Sequence, residues 1–286
     1  MRLKERHNFG TGPNPSVGQF WLSYIDALIK LNRPDDAKAI LSQAKQKGAE
    51  GEGFDKIEQR LNKLKEDNAQ NPPQHIIQEL NSLYSQNHFR EVIVKIDALL
   101  LEYPNSSILF NIHGASHAGL KQFEMALQSY EKALLIQPQL PEAHYNMGTA
   151  CLRYADYSEA IQHYSRAINI KANYFEAFIN LGIALQENGE NTSAVETYTK
   201  AIKLNPQNAQ AYNNMGNSLK QIGELEEAIK CYKLALGINP NYADAHSNMG
   251  SILSDTGDFD ASIQSFNNAL KIQPNHIDAS VSFIEN

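Results

Sequence analysis

The sequence predicts an all-α chain, an α-solenoid of stacked helical hairpins, and three observations predict it. From Pro73 onward residue types recur every 34 positions without an insertion. Within each period the apolar and small residues fall in two runs at helical spacing. Glycine and proline punctuate those runs at fixed places.

The blocks begin at Pro73, Ser107, Pro141, Phe175, Ala209 and Ala243, and a seventh begins at Ile277 and holds ten residues. With each block's first residue as place 1, the block from Ala209 shows the pattern. Tyr212, Met215, Gly216 and Leu219 have i, i+3, i+4, i+7 spacing and form one helical face. Leu225, Ala228, Ile229, Tyr232, Ala235 and Leu236 form a second, and Gly223 breaks the chain between them. Each block is therefore a hairpin. In the five full blocks from Ser107 onward place 8 is Gly114, Gly148, Gly182, Gly216 and Gly250, while places 20 and 27 are alanine apart from Ser262. Small residues there permit close helix axes, and the aromatics at place 24, Tyr130, Tyr164, Tyr198, Tyr232 and Phe266, fill the gap. Proline at place 32 (Pro104, Pro138, Pro206, Pro240, Pro274) cannot continue a helix. Ala172 replaces it in the block from Pro141, so that second helix is expected to run on slightly. A single hairpin cannot bury its apolar face alone, so neighbours stack.

The block 73–106 is degenerate, with Leu80, Val92, Ile96 and Leu99 at consensus places and Phe89 and Pro104 keeping register. Residues 1–72 are expected to form a separate N-terminal unit. Trp21, Tyr24, Leu28, Ala37, Leu41 and Ala44 mark a hairpin over 18–51, although Ile25 stands where a small residue is usual. Phe54, Ile57, Leu61 and Leu64 form the stripe of a third helix, and Asp67 to Pro73 is a joint. The expected organisation is thus 1–72, then 73–286 with six repeats and the first helix of a seventh or a cap. Both ends read as cut within a longer array, with Phe283 and Ile284 on the last helix.

In length and residue types the 34-residue block resembles the tetratricopeptide repeat family, over at least three quarters of the chain. The resemblance implies a right-handed superhelix whose concave groove is lined by first helices at places 2, 5, 6, 9, 12 and 13. Place 6 is Asn146, Asn180, Asn214 and Asn248 in four successive blocks. An amide offers an acceptor and two donors, which suits it to a peptide backbone. Stacked about 10 Å apart, such amides would meet an extended chain every three residues or so. The ladder is similar to the groove of the O-linked N-acetylglucosamine transferase repeats, and Tyr145, Asn213 and Asn217 lie beside it. The competing role for these asparagines is bridging between neighbouring helices. The family's carboxylate clamp, built on Lys at places 2 and 5, is not assembled here; place 2 instead holds Glu142, Glu176 and Asp244, which favours a neutral or basic segment.

Composition narrows the function. The 286 residues are 42% hydrophobic and 20% charged, with 25 Lys+Arg against 32 Asp+Glu and a formal charge of −7. That balance argues against nucleic acid and membrane as partners and, with no apolar leader, for a cytoplasmic protein. No catalytic site, metal site or cofactor is read from the sequence. His113 and His117 have the i, i+4 spacing of a metal pair but occupy core places without a third ligand, so they read as structural. Cys151 and Cys231, separated by a whole block, read as reduced thiols beyond disulfide reach. The glycines at 10, 12, 48, 51 and 53 match no phosphate-binding spacing. Three functions follow as expectations: a peptide-binding scaffold, the substrate-recruiting arm of a larger transferase, or an array that assembles end to end through terminal helices.

Overall fold

The computed structural model describes residues 15–31 and 33–275, with fifteen α-helices and no strand among them. The helices are α1 (Pro15–Lys30), α2 (Pro34–Gln46), α3 (Glu52–Gln70), α4 (Gln74–Ser85), α5 (Phe89–Glu102), α6 (Ser107–Gly119), α7 (Phe123–Ile136), α8 (Pro141–Arg153), α9 (Tyr157–Ile170), α10 (Phe175–Glu187), α11 (Asn191–Leu204), α12 (Ala209–Gln221), α13 (Leu225–Ile238), α14 (Ala243–Asp255) and α15 (Phe259–Ile272). The chain divides into two compact units. One comprises the described residues up to Ser82 with Asp97–Ser106, the other Leu83–Ile96 and the described residues from Ser107 onward.

In the first unit α1, α2 and α3 close around Ile25, Leu28, Ala37, Leu41, Ala44, Phe54 and Leu61. Ile25 is fully buried, so the bulk at this place is accommodated rather than excluded. Gly53 carries the close approach instead, since a Cβ there would come within 2.8 Å of Leu22 Cδ1. Tyr24 departs from expectation: its ring is exposed and stacks on Phe20 with centroids 6.3 Å apart. Ion pairs cross between helices, Lys45 to Glu58 at 2.6 Å and Arg60 to Asp26 at 2.8 Å. The expected roles of Gly10, Gly12, the Leu64 side chain, Phe283, Ile284 and the helix over 277–286 lie outside the described residues.

In the second unit α6, α8, α10, α12 and α14 begin at the first residues of their blocks. Each first helix ends on a turn whose place-15 residue has positive φ: Gly189, Gly223 and Gly257 near +80°, and also Lys121 (61°) and Ala155 (57°). The following N–H reaches back to the place-11 carbonyl, as Asp156 to Cys151 at 3.0 Å and Glu224 to Leu219 at 3.0 Å. This left-handed cap closes a Schellman motif and reverses the chain. Second helices end at place 30 whether or not proline follows. α9 stops at Ile170 despite Ala172, so it does not run on. The cause is upstream: Lys171 has already left helical geometry (φ −124°, ψ 87°) while its N–H bonds Ala167.

Within a repeat the place-8 glycine lies against the place-24 ring. A Cβ on Gly216 would meet Tyr232 Cε1 at 2.6 Å, one on Gly148 would meet Tyr164 at 3.0 Å, and one on Gly250 would meet Phe266 at 2.8 Å. Tyr164, Tyr198, Tyr232 and Phe266 are wholly buried in these gaps, as are the alanines at places 20 and 27. Ala143, Ala177, Ala211 and Ala245 at place 3 are equally buried, a fourth small position that helical spacing had not singled out.

Successive first helices touch: α6 meets α8, α8 meets α10, α10 meets α12 and α12 meets α14. Successive second helices do not approach this closely among the described residues. The row of first helices is therefore the tighter, inner side of the stack.

Candidate functional site

The inner row carries the place-6 asparagines, all half-buried, and each is knitted to the repeat before it. Asn146 Nδ2 donates to Asn111 Oδ1 at 3.0 Å, Asn180 Nδ2 to the Tyr145 hydroxyl at 3.1 Å, and Asn248 Nδ2 to Asn213 Oδ1 at 3.0 Å. Place 5 of the preceding repeat supplies the acceptor in every case. For Asn214 that place is Ile179, which has no side-chain acceptor, so the fourth rung differs. Asn214 Oδ1 instead accepts a long bond from Asn213 Nδ2 (3.4 Å), and its amide lies against the Tyr198 hydroxyl. Bridging between helices thus occupies one N–H of three rungs. An amide with one N–H engaged retains its second N–H, and its carbonyl keeps acceptor capacity.

Asn213 is only 4% exposed, so its side chain serves these inter-repeat bonds rather than the open surface. Asn217 is half-buried and accepts from the Tyr232 hydroxyl at 2.8 Å. Tyr145 packs between Tyr164 (centroids 5.9 Å) and Tyr174 (5.1 Å). Lys171 lies over the Tyr174 ring at 4.2 Å and 3.9 Å from Glu142, so one of the place-2 carboxylates is met by a cation. Burial raises the pKa values of Tyr145, Tyr164, Tyr174, Tyr198 and Tyr232, which keeps these phenols neutral donors.

The histidines at places 7 and 11 of the block from Ser107 have local partners. His113 Nδ1 lies 2.9 Å from Ser129 Oγ and His117 Nδ1 lies 2.7 Å from Gln122 Oε1, with the two rings edge to face at 4.5 Å. No group of three or more metal-ligating side chains assembles among the described residues. Cys151 and Cys231 are separate buried thiols whose pKa values burial pushes up to about 11. Spacing did not reveal a second histidine pair: His144 Nδ1 lies 3.0 Å from His163 Nδ1, joining first and second helices of one hairpin. The two rings occupy places 4 and 23 of their block, positions held by Phe178 and Thr197 in the next. No described helix is long and apolar enough to cross a membrane.

Comparison with known proteins places this architecture. Family models described as TPR repeat match residues 119–153, 156–189, 187–223 and 216–257, and one described as tetratricopeptide repeat matches 243–276. Peroxisomal targeting signal receptors from Candida albicans and Saccharomyces cerevisiae are 36% and 30% identical over 76 residues. That stretch is 27% of this chain and only 13% and 12% of those receptors. The fold is similar to that of PilF from Pseudomonas aeruginosa, with a TM-score of 0.64 and 19% identity over 73% of this chain and 96% of that one. It is also similar to that of YrrB, described as a TPR protein with an unusual peptide-binding site, with a TM-score of 0.57 and 23% identity over 65% of this chain and 96% of that one. Together with the 34-residue hairpins and their glycine–aromatic packing, these matches establish that the chain belongs to the tetratricopeptide repeat family.

Proposed function

We propose that the protein is a non-catalytic protein–protein interaction scaffold whose inner row of first helices holds an extended segment of a partner. The observation that carries this reading is the repetition of Asn146, Asn180, Asn214 and Asn248 along one edge, each half-buried and fixed by its neighbours. An amide held in place loses little freedom on binding, which reduces the cost of gripping a backbone. Asn217 and Tyr145 border the same row, and Asn213 acts behind it by fixing Asn248 and Asn214. Grip on backbone amides tolerates varied sequences. Similarity over 76 residues to proteins named peroxisomal targeting signal receptors supports the peptide class of ligand.

Glu176 and Gln210 at place 2 are exposed beside the ladder, which suits a neutral or basic segment over these repeats. Hydrogen exchange in the presence of a peptide selected from a displayed library of blocked 12-residue peptides tests the reading. Protection confined to α8, α10, α12 and α14 is expected. Protection confined to the second helices would place the binding surface elsewhere.

A further inference from the structure

We propose that the inner row contains a specificity pocket between α6 and α8 that takes a bulky apolar side chain flanked by an acidic residue within the bound segment. The proposal rests on the groove reading above and adds the chemistry of one position in the ligand.

The pocket has a volume of about 380 Å³. Its existence follows from one block being depleted of side-chain bulk. At places 9, 12 and 13 the block from Ser107 has Ala115, Ala118 and Gly119, all of which line the pocket. The next block has Thr149, Leu152 and Arg153 at those places, and the one after has Ile183, Gln186 and Glu187. Where other repeats fill the inner row, this one leaves room. Gly119 is also fixed by its surroundings, because a Cβ there would come within 2.7 Å of the Phe89 ring. The ring of Tyr84 lines the same space and supplies an apolar surface for a side chain of Leu or Phe size.

Charge decides the neighbouring residue. Lys121 and Arg153 both border the pocket, both are exposed, and neither is in an ion pair among the described residues. Place 2 of this block is Ile108, so the acid found beside the ladder in later repeats is absent here. In a protein of net charge −7, two cations lining one pocket form a local complement for a carboxylate. A guanidinium can meet that group with two parallel hydrogen bonds. Asn146 borders the pocket and is also the first rung of the ladder, so a backbone gripped at Asn146 delivers its next side chain to the cavity. The ligand is then acidic and apolar at this end and neutral or basic across the repeats that follow.

The test uses the acetylated, amidated peptide SGSFESGS against the full chain, with binding followed by amide chemical shifts. Shifts are expected at Ala115, Ala118 and Gly119, with affinity reduced at least tenfold for SGSFKSGS and for SGSAESGS. Ala118→Leu, which installs the side chain found at this place in the next repeat, fills the pocket. Arg153→Gln leaves the pocket open and removes a charge. Each is expected to weaken binding tenfold or more with an unchanged melting profile. Equal binding of the Phe–Glu and Phe–Lys peptides, or full binding by the Ala118→Leu protein, overturns the pocket. Tighter binding of SGSF with a free terminal carboxylate overturns the internal acidic residue in favour of a chain end. If the library-selected 12-residue peptide still protects α10, α12 and α14 in the Ala118→Leu protein, the pocket alone has failed. If no peptide perturbs any first helix, the groove reading fails with it.

Discussion

Asn248 donates its side-chain N–H to Oδ1 of Asn213, one repeat back, at 3.0 Å. Asn146 and Asn180 make the same backward bond, while for Asn214 the equivalent place is Ile179, which has no side-chain acceptor. The ladder is therefore tied to place 5 of the preceding repeat at three rungs, while the fourth meets that repeat through the Tyr198 hydroxyl instead. Asn248→Ala removes a partner from the buried Asn213 and is expected to cost about 1–2 kcal/mol. Asn214→Ala should cost less than half as much. Urea unfolding of the two single variants checks this, and equal losses would mean the backward bonds contribute nothing.

Gly216 and Gly223, seven residues apart, are glycines for different reasons. A Cβ on Gly216 collides with Tyr232 at 2.6 Å, whereas Gly223 has open space around it but a φ of +85°. Gly216→Leu overpacks a helix crossing and is expected to cost about 3 kcal/mol or more. Gly223→Ala meets only backbone strain, about 1 kcal/mol. Equal shifts in melting temperature would contradict the packing assigned to place 8.

Ala155 holds a left-handed conformation (φ 57°) that glycine holds in later repeats. Replacing it with glycine relieves strain in the folded state, partly offset by a more flexible unfolded chain. Ala155→Gly is expected to raise stability by a few tenths to about 1 kcal/mol, measured as an increased urea midpoint with unchanged slope. A lowered midpoint would show that the turn does not need glycine.

His144 and His163 face each other through Nδ1 atoms 3.0 Å apart, and His144 Nε2 lies 3.0 Å from the Pro138 carbonyl oxygen. The geometry suits two neutral rings: Nε2–H of His144 donates to Pro138, and Nδ1–H of His163 donates to His144 Nδ1. Burial, the neighbouring His144 and Arg166 push His163 down to about 4, and burial with Arg166 lowers His144. A histidine depressed in the folded state contributes stability that is complete above the unfolded value near 6.5. That stability is lost as pH falls from there toward 4, by up to about 3 kcal/mol. The double variant His144→Phe with His163→Thr, the pair found in the next repeat as Phe178 and Thr197, should flatten this part of the stability profile. An unchanged slope between pH 6.5 and 4 would contradict the buried neutral pair.

The hairpins and their packing were legible because the determinants are local and repeated. Glycine at place 8 and the ring at place 24 identify each other once the period is known, as Gly216 and Tyr232 do. Helix termination was less legible: Pro206 and Pro240 mark the end, yet α9 ends at Ile170 without a proline because the chain turns out at Lys171. Tyr24 matched an interior place but lies on the surface, since burial depends on which helix arrives next. In the candidate site the asparagine row was readable from identity and spacing alone. Its backward bonds were not, because they depend on place 5 of another repeat, where Asn111, Tyr145 and Asn213 accept and Ile179 cannot.

The central claim, that the asparagine row grips a partner's backbone, is tested most directly by one affinity. The library-selected 12-residue peptide is titrated by fluorescence anisotropy into the protein carrying Asn146, Asn180, Asn214 and Asn248 all as Ala, well below its melting temperature. With about 0.5–1.5 kcal/mol for each lost bond, the account predicts a dissociation constant raised by at least thirtyfold. The exposed Lys200 and Lys233 changed to Ala serve as the control and should shift it less than threefold. A folded quadruple variant that binds the peptide with unchanged affinity would contradict the account.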